Sequence, residues 1–172
     1  LVKSGQLEEP VFGFYLASGQ PGQLVLGGVD PDHYVGDFHF VNLSAPAYWA
    51  VHLDMVRLGG FLNMSSTQVA IVDSGTSLLV GPTADVRALA TAMGAMPLQG
   101  FYIVDCNQTV PSIAFTLGGR DYVLEKKDLI VERDSGFCVL GIDESTMPMW
   151  ILGDVFMRQY YVQFDWGRQR VG

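Results

Sequence analysis

Asp73 interrupts a hydrophobic stretch. Ala70-Ile71-Val72-Asp73-Ser74-Gly75-Thr76-Ser77-Leu78-Leu79-Val80-Gly81-Pro82 reads as a short apolar run, one acid, a Ser-Gly-Thr-Ser turn and a second apolar run closed by Gly-Pro. Two buried strands joined by a tight polar turn would read this way. The carboxylate then lies beside or inside a core, where it costs free energy unless it is hydrogen-bonded or paired. Ser74 opens the turn, and Gly75 lets another backbone come close. The hydroxyls of Thr76 and Ser77 can hold the turn and bond the carboxylate. On the tripeptide alone a second reading stays equally open. Asp-Ser-Gly is common turn chemistry, and Asp73 could do no more than cap a turn.

Other chemistries lack their residues. Gly-x-Ser-x-Gly does not occur, and His33, His39 and His52 sit in strand or loop contexts without a matching motif. A Ser/His hydrolase is therefore set aside, and these histidines are read as surface or packing residues. No metal-ligand spacing, phosphate loop or nucleotide fingerprint is found, so we expect no metal and no other cofactor. With 18 acidic against 10 basic residues the chain carries a formal net charge of −8, which makes it a poor nucleic-acid binder. No run of 18 apolar residues occurs, so no membrane span is expected. Hydrophobic content of 49% against only 16% charged residues argues against disorder. It favours a large core, or an apolar face awaiting a partner.

The elements that must position Asp73 are mostly strands. Val11–Leu16 and Leu24–Val29, with the turn Gln20-Pro21-Gly22-Gln23 between them, read as a hairpin. Phe38–Val41 alternates. Ala47–Leu58 alternates as one strand, with Trp49, Val51, Leu53 and Met55 on one face, ended by Gly59-Gly60. Residues 61–68 read as a polar lead into the Asp73 segment. One helix follows: Thr83 is its N-cap candidate, Asp85 lies in its first turn, Val86, Leu89, Ala90 and Met93 share a face, and Gly94 stops it. Further short strands cover 101–105, 112–117 and 121–124, with Gly118-Gly119 as a turn. Lys126-Lys127-Asp128 reads as a charged loop, 129–132 and 137–142 as strands, and Asp143–Pro148 as a polar loop. Met149–Asp154 is an apolar strand, Val155–Tyr160 at least one helical turn, and Tyr161–Asp165 a last strand. Many short strands, frequent Gly turns and few helices mean a mostly-β fold with packed or closed sheets, and one domain is the simplest count.

Cys106 and Cys138 are too far apart in sequence for a compact metal motif. They are either bridged or two reduced core thiols. Three acceptor sequons, at Asn42, Asn63 and Asn107, favour the oxidising secretory route and are candidate glycosylation sites.

Several ordered motifs carry a resemblance that runs from Val11 to Gly172. The Asp73 segment resembles the active-site turn in the second lobe of pepsin-like, cathepsin D-like aspartic proteases. Val11–Leu16, Gly27-Gly28-Val29-Asp30 with Tyr34 and Gly36, Tyr48-Trp49, and Trp150–Phe156 with Arg158-Gln159-Tyr160 are similar to other stretches of that lobe. The resemblance implies a mostly-β pepsin-like lobe over 11–172, residues 1–10 as an interlobe linker, and a disulfide between Cys106 and Cys138. It implies Asp73 as one catalytic carboxylate, supported by Ser74, Gly75 and Thr76, with Ser77, Ile71 and Tyr48 as substrate contacts. Ile151, Leu152 and Gly153 should cross beneath the turn. It further implies an endopeptidase acting on peptide or protein substrates at acidic pH, in a lysosome- or vacuole-like compartment or outside the cell.

The family's small disulfide loop before the catalytic turn is absent, since 61–68 holds no cysteine. The family's first lobe, with its own catalytic Asp and flap, has no counterpart either. We expect the chain to be part of a longer polypeptide and inert as an isolated monomer. Its partner would be the first lobe or, as in retroviral proteases, a second copy that brings two Asp73 together; a non-catalytic peptide-binding lobe is the other alternative. We expect Asp73 to head the only turn of its kind, since the Trp of Asp165-Trp166-Gly167 disqualifies that segment.

Overall fold

Strand alternation dominates the computed structural model, which describes residues 3–172; Leu1 and Val2 of the expected linker lie outside the described residues. Its largest sheet has ten strands. Starting from one edge, Ile142–Ser145 pairs with Leu79–Pro82, then come Trp150–Leu152, Val69–Val72, Ala50–His52 and Val41–Ala45. The sheet continues through Arg170–Val171, Val162–Asp165 and Val11–Tyr15 to the opposite edge, Gln23–Leu26. Two four-stranded sheets complete the fold: one of Arg120–Leu124, Ile113–Leu117, Met55–Leu58 and Leu62–Met64, the other of Ile130–Asp134, Phe137–Leu140, Phe101–Asp105 and Met96–Leu98. The mostly-β expectation holds, as does the first hairpin, in which Phe12 faces Leu26 and Phe14 faces Leu24. No helix of the described residues is long and apolar enough to cross a membrane.

Between the sheets lies one apolar core centred on Trp150, Phe115, Phe164 and fully buried aliphatic residues. Trp150 meets Phe115 edge-on at 5.3 Å. Its ring also lies over Gly81, where a Cβ would stand 2.6 Å away, so glycine there is a packing requirement. Helix Thr83–Ala92 buries Val86, Leu89 and Ala90 with Met93, and stops where Gly94 adopts φ +68°. The cysteines are joined, closing a loop with a sequence separation of 32.

Several expectations need correction. The strands flanking the Asp73 turn do not pair with each other. Trp150–Leu152 lies between them, parallel to Val69–Val72 and antiparallel to Leu79–Pro82. Ala47–Leu58 is not one strand. It divides into Ala50–His52 and Met55–Leu58, which belong to different sheets, and the buried set shifts from Val51 and Leu53 to Val56 and Leu58. The switch occurs where Leu53 N–H donates to Gln68 O and Asp54 N–H to Thr116 O. Phe38–Phe40 is not strand: Phe38 packs its ring on Tyr34 and Tyr161, and pairing begins at Val41.

Within 61–68, Leu62–Met64 forms a hairpin strand with Met55–Leu58. Lys126–Leu129 is a short helix, because Glu125 and Asp128 form a reciprocal capping box. Ile142–Ser145 is a strand rather than the start of a loop, running parallel to Leu79–Pro82. Thr83 is already helical; Pro82 holds the N-cap position, and the Thr83 hydroxyl donates to Ser145 O instead. Asp85 is buried and accepts from the Ser66 hydroxyl.

Asp165 is 1% exposed, and Arg170 Nε and Arg168 Nη1 donate to its Oδ2. Burial raises its carboxyl pKa, but the hydrogen bonds from Arg170 and Arg168 outweigh that and hold it below the usual 3.8. A depressed acid stabilises the fold above its unfolded pKa, and that stability is lost as pH falls through the folded value. Asp165→Asn should therefore cost about 2 kcal/mol at pH 7, and the difference should shrink below the usual carboxylate range. Urea titrations of both forms at pH 7 and pH 3 check this; equal differences would refute the pairing argument. Replacing both cysteines by serine should cost about 4 kcal/mol by the loop-entropy model, read as a lower denaturation midpoint.

Candidate active site

The Asp73 turn is built from two parallel strands. Val69–Val72 runs beside Trp150–Leu152, with Ile71 opposite Ile151 and Val72 opposite Leu152. On its other side it pairs with Ala50–His52, and Val72 N–H donates to Trp49 O. The ladder ends with Asp73 N–H donating to Leu152 O at 3.2 Å, and the chain then turns. The Asp73 carboxylate uses both oxygens locally: Oδ1 accepts from Gly75 N–H at 2.9 Å and Oδ2 from the Thr76 hydroxyl at 2.6 Å. These donors satisfy a half-buried charge without an ion pair. Ser74, Gly75 and Ser77 are exposed, so the turn presents its outer side to solvent.

Beneath the turn, Asp154 N–H donates to Thr76 O at 2.8 Å and Val155 N–H to Ser77 O at 3.2 Å. The first amides of helix Asp154–Met157 thus satisfy carbonyls of the turn. Gly153 makes this approach possible. A Cβ there would stand 2.1 Å from Thr76 O and 2.5 Å from Leu78 O. The expected crossing of Ile151, Leu152 and Gly153 under the turn is what the backbone does. The Thr76 hydroxyl bonds the carboxylate, as its place in the turn suggests, whereas no such bond is made by Ser77 among the described residues.

Ile71 is half-buried in the strand that ends at Asp73. Tyr48 is 66% exposed and stands beside Trp49, whose carbonyl holds Val72, so it lies at the same end of the sheet. Asn42, Asn63 and Asn107 are all exposed. His33 stacks on Tyr15 at 4.2 Å, and His39 Nδ1 is 2.8 Å from the Tyr122 hydroxyl. Asp165 is committed to its two arginines and is closed to other work.

Two acids escaped the sequence argument. A second Asp-Ser-Gly does occur, Asp134-Ser135-Gly136, contrary to the expectation of a single one. It forms an exposed hairpin tip with Ser135 and Gly136 at positive φ, and Ser135 Oγ donates to Asp134 Oδ1 at 2.9 Å. It lacks the apolar flanks that lead Asp73 into the core. The other is Asp154, at the end of the strand parallel to the one that delivers Asp73. Its Oδ1 is buried with no hydrogen-bond partner among the described residues. Burial raises its carboxyl above the usual 3.8; Arg158 opposes this, and the charge of Asp73 adds to it. In the sequence Asp154 closes an apolar run as Asp73 does, but nothing there shows its buried oxygen.

The eukaryotic aspartyl protease family model matches residues 1–172. The chain is 42% identical to cathepsin D of Clupea harengus over 188 aligned residues, covering 100% of this chain and 48% of that protein. It is 42% identical to napsin-A of Mus musculus, covering 100% of this chain and 45% of that protein. Against cathepsin D of Homo sapiens the identity is 40%, with 100% and 46% covered. The chain therefore spans about half the length of the curated relatives it matches. A turn built on Asp73 and a family match over the whole sequence lead to one assignment: this chain belongs to the eukaryotic aspartyl proteases.

Proposed function

We propose that this chain is the second lobe of a two-lobed aspartic endopeptidase and supplies one of its two catalytic carboxylates. The observation that carries the reading is the Asp73 turn, whose carboxylate is held by Gly75 N–H and the Thr76 hydroxyl at the exposed end of two parallel strands. In this chemistry two carboxylates share one proton and one water. Each raises the cost of ionising the other, so one stays protonated at acidic pH. The ionised member takes a proton from water, and the other donates to the scissile carbonyl. Asp73 is one half of the dyad. Ser74 and Gly75 keep the turn open to its counterpart, and Thr76 orients the carboxylate. Ser77, Ile71 and Tyr48 contact the peptide substrate.

A covering lobe also suits the far edge of the large sheet. Leu24 and Leu26 are 50% and 54% exposed there, on the same face as half-buried Phe12 and Phe14. Trp49 and the 53% exposed Trp166 continue the apolar surface. The bridged Cys106 and Cys138, together with exposed Asn42, Asn63 and Asn107, support a secretory route ending in an acidic compartment or outside the cell.

Alone, the chain should show negligible peptidase activity on an internally quenched peptide at pH 4. Mixed with the first lobe of a cathepsin D, it should cleave that peptide, and Asp73→Asn should remove the activity by about 1,000-fold or more. Cleavage by the chain as a strict monomer, or full activity of the Asn variant, would refute the reading. Asp154 gives a separate pH test. A raised folded pKa means that stability falls as pH rises from 3.8 through the folded value. Asp154→Asn should therefore gain thermal stability over the parent chain at pH 7 and lose that advantage at pH 3; parallel melting profiles would exclude it.

A further inference from the structure

The sheet that carries the disulfide is apolar on both faces. Antiparallel partners share a face. Tyr102 pairs with Leu140 and Val104 with Cys138, and these turn to the core. The other face carries Ile103 opposite Val139, Met96 opposite Ile103, and Leu98 opposite Phe101. Met96, Leu98, Phe101 and Phe137 are 56%, 51%, 51% and 48% exposed, around a groove of about 350 Å³. One corner of this face is acidic. Asp105 and Asp134 both stand opposite Phe137, and Glu132 stands opposite Val139. No Lys or Arg lines the groove among the described residues. Arg133, between the two acids of its strand, directs its guanidinium to the Cys138 sulfur at 3.6 Å instead.

A sheet with two apolar faces is a middle layer, and only its inner side is covered. Its Met96–Leu98 edge is three residues long and carries Pro97, which has no N–H to offer a new strand. A partner therefore lies across the face rather than extending the sheet. We propose that this face docks a basic amphipathic helix of another protein. The helix's apolar stripe covers Met96, Leu98, Phe101 and Phe137, and its Lys or Arg residues meet Asp105, Glu132 and Asp134. The net charge of −8 favours the same partner at longer range. None of these residues belongs to the Asp73 turn, so this inference and the peptidase reading fail separately.

The probe is a fluorescent Leu/Lys peptide of about 18 residues with one apolar face, titrated into the full chain and followed by anisotropy. A matched peptide carries Glu in place of Lys. The Lys peptide should bind saturably, and the Glu peptide about tenfold more weakly or worse. Phe101→Ser should abolish binding. The double variant E132K/D134K should lose the Lys peptide about tenfold and gain the Glu peptide, a swap that misfolding cannot produce. Equal affinity for the two peptides, or unchanged binding by the variants, would overturn the proposal. So would occupation of the face by a second copy, read as Phe101-dependent dimerisation in sedimentation. Phe101-dependent binding to phosphatidylcholine vesicles without peptide binding would overturn it as well.

Discussion

Strand Trp150–Leu152 is wedged between the two strands that flank the Asp73 turn, and the turn's geometry depends on that wedge. A six-residue connection between strands is ordinarily a mobile surface loop. Here its beginning is tied by Asp73 N–H to Leu152 O, and its far side by Asp154 N–H and Val155 N–H to the carbonyls of Thr76 and Ser77. All three bonds come from one short strand and the helix that follows it. They can form only because Gly153 lets the backbones approach; any side chain would collide with Thr76 O. The wedge itself is anchored by Trp150, the largest fully buried side chain, packed over Gly81. The position of one carboxylate thus rests on two glycines and one indole, none of which touches it.

Much of this was legible in the sequence, and the failures have physical causes. The Asp73 segment, the first hairpin and the helix at 83–92 were readable because local pattern and turn chemistry determine them. The pairing of Trp150–Leu152 was not readable from periodicity, since a short apolar run says that a strand is buried but not beside what. Ala47–Leu58 misled because alternation runs through Leu53-Asp54 without a break in composition. The phase change exists only in the tertiary hydrogen bonds made by those two residues. Lys126-Lys127-Asp128 reads from its charge as a loop and Leu129 as the start of a strand, whereas the reciprocal bonds of Glu125 and Asp128 make Lys126–Leu129 a helix. Asp154 was passed over because the sequence cannot tell a solvated acid from one with a buried, unpartnered oxygen.

The chain contains three Asp-x-Gly segments, and comparing them separates motif from site. Asp134-Ser135-Gly136 has the same residues as Asp73-Ser74-Gly75, yet it sits at an exposed hairpin tip, where among the described residues its carboxylate accepts only from the neighbouring Ser135 hydroxyl. Asp165-Trp166-Gly167 is the opposite extreme: its carboxylate is buried and neutralised by Arg168 and Arg170, which leaves no lone pair in a useful direction. Asp73 lies between these limits. Its oxygens are held by one amide and one hydroxyl, both neutral donors, so its negative charge is oriented but uncompensated. Those two donors hold both oxygens while Ser74, Gly75 and Ser77 leave the outer side of the turn open to solvent. The same Asp-x-Gly spacing thus gives a hairpin tip, a closed ion pair or an oriented carboxylate, according to the strands and helix that deliver it.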